Sequence, residues 1–253
     1  MVIIPEDLIE EIESNSEDSE FLVTNMIDDH SRKVWAAASG ATTAIINIKT
    51  IGAAANGLML YYLIGDSVTI TVYNQTNLAG SIIAGPTTTD LLETDSYYSN
   101  EVQIPAVWTT YTSPGVAHSA KVEISRTGDE PEIGRSFAGK RWVLSKNPKW
   151  GLSRNPEDHS VIYDLDNGYE YIYKRNIRKI RAGSLELVGN PPTEYYTFLH
   201  MMEQIGPTPV AVLMAQDVTP EYQYLMYGRF DGVKGTEASY NISTINFTLK
   251  EFL

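Results

Sequence analysis

A chain of 253 residues, 43% hydrophobic and 20% charged, has the composition of a folded globular protein with material for one large or two small cores. It contains no cysteine, which excludes disulfides, thiolate metal sites and cysteine nucleophiles. The formal net charge of −13 argues against general nucleic-acid binding, and no apolar run approaches the roughly 20 residues that span a bilayer as a helix.

The charge is uneven. Residues 1–20 hold eight acidic groups and no basic one, whereas residues 121–181 hold thirteen basic groups against nine acidic. An acidic end and a basic middle suit a contact between neighbouring copies. A solvated acidic leader is the plainer reading of the same residues. The first residues lack a basic region followed by a long apolar one, so no secretory signal is expected.

In chain order, residues 5–12 read as a short helix. Pro5 suits a first turn, Glu6 and Asp7 suit the helix dipole, and Leu8, Ile9 and Ile12 share a helical face. Residues 14–20 are polar and read as a linker. Apolar runs then recur at strand length: Ala44-Ile45-Ile46-Asn47-Ile48, Leu58-Met59-Leu60-Tyr61-Tyr62-Leu63 and the strictly alternating Ser67-Val68-Thr69-Ile70-Thr71-Val72-Tyr73. Ala120-Lys121-Val122-Glu123-Ile124-Ser125 alternates in the same way. Short strands at this spacing predict a β-sandwich over residues 21–126.

The opening Asn25-Met26-Ile27-Asp28-Asp29, Val34-Trp35, the strand ending at Tyr73, Trp108 and the closing Val122-Glu123-Ile124 together resemble a galactose-binding-like (discoidin-like) jelly roll. That resemblance implies glycan contact through loops at one end and, in some members, a structural calcium near the opening. Asn25, Asp28 and Asp29 are oxygen donors suited to such a cation, and an Asx-type turn with hydrogen-bonded side chains is the plainer reading of them. Trp35 and Trp108 are candidate sugar-stacking platforms, with core packing as the alternative.

Residues 127–253 read as a second domain. Ile133-Gly134-Arg135 is a strand whose glycine marks a bulge or a close backbone approach. Residues 145–160 form a long polar loop carrying Trp150, a third candidate for glycan contact. Asp158-His159-Ser160 sets three catalytic residue types side by side, but triads assemble from distant positions and no catalysis is expected there. Residues 163–173 predict a hairpin around Asp166-Asn167-Gly168, with Tyr169, Tyr171 and Tyr173 on one strand face. Lys174, Arg175, Arg178, Lys179 and Arg181 form a basic stripe, read as a subunit contact opposite the acidic end. Residues 193–204 predict a helix whose packing side includes Tyr195, Tyr196, Phe198, Leu199 and Met202, stopped by Gly206-Pro207. Residues 209–215 read as a buried strand. The parity change between Ile242 and Ile245 predicts a bulge at Ser243-Thr244.

Hairpin strands, one helix, a buried strand and a terminal strand ending Leu249-Lys250-Glu251 resemble the tail-tube-like domains of tailed bacteriophages. With the sandwich, the chain resembles a tail-tip or baseplate component of the distal-tail type, although such proteins commonly carry the tube-like part first. The resemblance implies a mainly β protein, a jelly-roll sandwich followed by a tail-tube-like β-barrel with one packed helix. It implies a non-enzymatic virion protein made in the host cytoplasm and incorporated in the phage tail. It would assemble as a homo-oligomeric ring, a hexamer, beside other tail proteins. Contact with host glycans fits, membrane contact does not, and nucleic acid would meet the protein only in passing through a lumen. No cofactor is expected beyond the structural calcium. A free carbohydrate-binding module or lectin is the alternative. A glycoside hydrolase needs two facing carboxylates roughly 5–10 Å apart, which no motif in the sequence places.

Overall fold

The structure, a computed structural model, describes residues 1–28, 33–94, 101–149, 152–158, 160–164, 170–173, 177–188, 193–215, 221–239 and 242–252. The strands begin with β1 (Val2–Ile4), β2 (Ile9–Ser14), β3 (Trp35–Ala36), β4 (Thr43–Ile51), β5 (Gly57–Ile64), β6 (Ser67–Tyr73) and β7 (Ile82–Asp90). They continue with β8 (Leu92–Thr94), β9 (Glu101–Gln103), β10 (Ala106–Thr110), β11 (His118–Ser125), β12 (Glu132–Gly139), β13 (Trp142–Val143) and β14 (Ser153–Asp158). The last are β15 (Val161–Asp164), β16 (Glu170–Tyr173), β17 (Ile177–Val188), β18 (Val210–Leu213), β19 (Leu225–Ser239) and β20 (Ile242–Glu251). One α-helix among the described residues, α1 (Thr193–Ile205), precedes β18. The protein is therefore mainly β.

Three large sheets stack. A five-stranded sheet, ordered β2-β4-β11-β6-β7, faces a four-stranded sheet, ordered β10-β5-β12-β3. Ile46, Ile48, Leu60, Ile70 and Val122 fill the space between them, with Trp35 and Met26. The other face of the four-stranded sheet carries Met59, Tyr61, Ala106 and Phe137, which pack on Val2, Ile4, Ala211, Leu213 and Tyr227 of a seven-stranded sheet. That sheet is ordered β13-β1-β18-β19-β20-β17-β14. Its far face packs Ile3, Val212, Met226, Ile245 and Phe247 against Tyr195 and Phe198 of α1.

The layers explain the strand sequences. β6 alternates because only one of its faces meets a core. β5 reads Gly-Leu-Met-Leu-Tyr-Tyr-Leu-Ile because both faces are covered, Leu58 and Leu60 inward and Met59 and Tyr61 toward the seven-stranded sheet. Gly134 of β12 is required by close approach, since a Cβ there would lie 2.6 Å from the Cβ of Tyr62. The helix matches its expected span. Gly206, at φ +57, ends it in the left-handed region and donates its N–H to the Met202 carbonyl at 3.0 Å.

Several expectations are corrected. Residues 5–12 are not helical. β1 pairs with β13 and β18 in the seven-stranded sheet, and β2 pairs with β4 at the edge of the sandwich. β12 also belongs to the four-stranded sheet, so the sandwich is inserted between β1 and β13. The seven-stranded sheet is open, with β13 and β14 as its edges, and does not close into a barrel. The polar loop at 145–160 contains a strand, β14, paired with β17. β20 needs no bulge at Ser243-Thr244: Ser243 is buried, Ile242 is half-buried, and alternation runs unbroken to Glu251. The irregularities lie instead on β19, at Phe230/Gly232 and Glu237/Ser239. Tyr196 is exposed rather than packed, and its hydroxyl donates to Glu237 at 2.7 Å.

Candidate functional site

Some of the residues proposed as ligand contacts are engaged by the fold. Trp35 is 0% exposed, and Trp108 is half-buried against the seam between the four- and seven-stranded sheets. The Trp35 ring is closed to sugar stacking and the Trp108 ring is partly covered, and the indole N–H of each is enclosed without a hydrogen-bond acceptor. Trp150 lies outside the described residues. Asn25 donates its side-chain amide to the Val34 carbonyl at 2.8 Å, and Asp28 pairs with Lys33 at 2.5 Å. These contacts join Asn25 to Val34 and Asp28 to Lys33. Asp29 lies outside the described residues, and among those described no three metal-ligating side chains converge.

The basic stripe divides. Lys174 and Arg175 lie outside the described residues, and Arg178 is placed opposite Glu157 by register. Lys179 and Arg181 turn toward their own chain. The Glu251 carboxylate, 2% exposed, accepts the Tyr61 hydroxyl and the Lys179 backbone N–H at 2.8 Å, with the Lys179 ammonium at 3.4 Å. Burial and the Glu251 charge push the Tyr61 phenol well above its ordinary value. Burial pulls the Arg181 guanidinium down. This cluster joins β5 of the sandwich to β17 and β20. No motif marks Glu251 in the sequence, although its place in the alternation of β20 shows it facing inward.

A second joint lies where the chain passes from β1 to β2. The buried Arg135 donates to the Met26 carbonyl at 3.1 Å and to Asp7 at 2.9 Å, and lies over the rings of Phe137 and Tyr227. Asp7 also accepts the backbone N–H groups of Ile9 and Ala138 at 3.2 and 3.1 Å. A pocket of about 410 Å³ beside this pair is bounded by Phe137, Met201 and Pro209. Asp7 and Arg135 in its lining are engaged with each other and with the chain, and they tie the layers together there.

Two features remain without an internal role. The first is a ribbon. β14 pairs with β17 from Ser153↔Ala182 to Asp158↔Ile177, and β15 pairs with β16 from Val161↔Tyr173 to Asp164↔Glu170. The two segments continue one another in nearly the same register. β17 meets β20 only from Ile180 onward. Beyond that point no third strand joins the ribbon among the described residues. The strand pairing of the expected hairpin is present, while its turn Asp166-Asn167-Gly168 and Tyr169 lie outside the described residues. The second feature is an open face of the seven-stranded sheet, on the side away from α1. Ala182, Ser184, Gly232, Asn246 and Thr248 line a shallow groove there of about 630 Å³. Small polar side chains on a sheet give no motif, and only the alternation of β20 points to this face.

No family model matches the chain, and no curated protein matches it. Among solved structures it is similar to a chitosan-binding module of a Paenibacillus chitosanase/glucanase, at 17% identity and a TM-score of 0.39, over 53% of this chain and 98% of that one. It is also similar to a chain in a structure of reduced XRCC1 bound to the DNA polymerase β catalytic domain, at 14% identity and a TM-score of 0.41, over 54% of this chain and 99% of that one. A family 89 glycoside hydrolase from Clostridium perfringens is similar at 10% identity and a TM-score of 0.36, over 58% of this chain and 16% of the enzyme.

Proposed function

We propose that the chain is a non-catalytic structural protein that builds an assembly with copies of itself, of the phage tail-tip or baseplate kind that its sequence resembles, with the sandwich as an attachment on the assembling sheet. One observation carries the reading: the β15–β16 ribbon pairs only with itself among the described residues. It is anchored at its base by β14 and β17, but among the described residues both of its outer edges stay unpaired, and unpaired strand edges are templates for a neighbouring chain. By register Val161 stands opposite Tyr173 and Tyr163 opposite Tyr171, an apolar and aromatic content that suits a protein contact. Native mass spectrometry of the full chain over a range of concentrations tests this. A discrete oligomer is expected, lost when residues 159–176 are replaced by a short Gly-Ser turn. A monomer throughout, or an oligomer indifferent to that replacement, overturns the reading.

The second reading is a carbohydrate-binding module. It is favoured by the outer face of the five-stranded sheet, where the half-buried Asn47 and Lys121 stand side by side across β4 and β11. A glycan array that includes chitosan fragments tests it. Binding lost in Lys121→Ala supports this reading, and an array without response removes it.

A further inference from the structure

The open face and the acidic end belong to different sheets. Along the seven-stranded sheet, β1 is second from one edge, and the chain leads from it directly into β2. The groove lies on β19, β20, β17 and β14 at the other edge. β2 is itself the edge of the five-stranded sheet, so one side of its backbone faces no other strand.

Their charges are opposite. Glu10, Glu11 and Glu13 of β2 are exposed, and Glu6, Glu17 and Glu20 flank them. Lys49 is the one cation paired with the strand among the described residues, held by Glu11 and Glu13. On the open face, Lys149 pairs with Glu186 and Lys250 with Asp231. Lys234, which lines the groove, is exposed and forms no ion pair among the described residues; Arg229, exposed across from Lys250, acts on Asp231 alongside it. The small side chains between them leave depth for another chain to approach.

We propose that the open face of the seven-stranded sheet receives the acidic β2 edge of a second copy, so that copies associate head to tail through Lys234 and Arg229 on one and Glu10 and Glu13 on the next. This rests on the assembly reading above and names its contact. Because donor and acceptor surfaces are different patches on one molecule, the contact is heterologous and propagates into a ring or a filament. Long-range attraction between such patches is screened by salt.

The test uses sedimentation velocity on the full chain and two surface variants, Arg229→Glu with Lys234→Glu, and Glu10→Lys with Glu13→Lys. Each variant alone should associate at least tenfold more weakly than the parent, and an equimolar mixture should recover association, since each supplies the charge the other lost. Raising the salt from about 0.05 to about 0.5 M should weaken the parent at least tenfold. Circular dichroism confirms that the variants fold. If both variants associate like the parent while the ribbon replacement does not, this contact is wrong and the assembly reading stands. If the variants weaken association and the mixture does not recover it, the pairing of these two surfaces is overturned. If the parent itself never associates, the assembly reading falls and this contact with it.

Discussion

β18 and β20 lie two strands apart in one sheet and have different sequences for one physical reason. Val210-Ala211-Val212-Leu213 is buried throughout, because the sandwich covers one face and the α1 side the other. β20 buries Ile245, Phe247 and Leu249 and leaves Thr244, Asn246 and Thr248 at the surface, because the sandwich ends before it. A single sheet thus has a covered half and an open half. The covered half holds the molecule together. The open half is finished as a surface, with polar side chains where a monomeric core would need apolar ones.

Substitutions on the two halves should separate cleanly. Phe137→Ala empties part of the seam beneath the covered half and should cost about 3–5 kcal/mol in chemical denaturation. A loss below about 1 kcal/mol would mean that the sandwich and the seven-stranded sheet are not packed as described. Glu251→Ala, at the border of the halves, leaves the Tyr61 hydroxyl and the Lys179 N–H without their acceptor and should cost about 1–3 kcal/mol. Glu251→Gln keeps an acceptor and should cost less, which separates hydrogen bonding from lost volume. Asn246→Ala on the open half should change stability by no more than about 0.5 kcal/mol while altering self-association.

The sandwich supplies a pH control independent of both halves. His118 is fully buried, with its Nε2 2.8 Å from the Tyr111 hydroxyl, and burial pulls its pKa below the ordinary 6.5. The unfolded chain therefore takes up this proton first. The stability tied to neutral His118 is complete above pH 6.5 and is lost as the pH falls from there toward the lower folded value. Urea midpoints measured between about pH 7.5 and 5.5 should fall for the parent and fall less steeply in His118→Gln, where the Met1 amine, pulled down by burial to about 6, still titrates.

What the sequence disclosed depended on how regular each element is. β6 alternates without interruption, so both its strand and its single buried face were legible. α1 carries Tyr195, Phe198 and Met202 at helical spacing and has Gly206 at its end. β2 misled because its register shifts beside Glu11 against β4. Those shifts bring Ile9 and Ile12 to a spacing that imitates a helical face, and Pro5 with Glu6 completes the imitation. Trp35 and Trp108 carry no local sign of what covers them. Trp108 is half-buried only because the seven-stranded sheet lies against β10, a contact between distant parts of the chain. Glu251 and the groove were hidden for the same reason, since their roles depend on which strands neighbour β20.

Electron microscopy of the purified full chain, with and without the ribbon replacement at residues 159–176, tests the central claim most directly. Head-to-tail particles of repeating copies are expected for the full chain and single copies for the shortened one. Isolated single copies of the full chain at every concentration would contradict it.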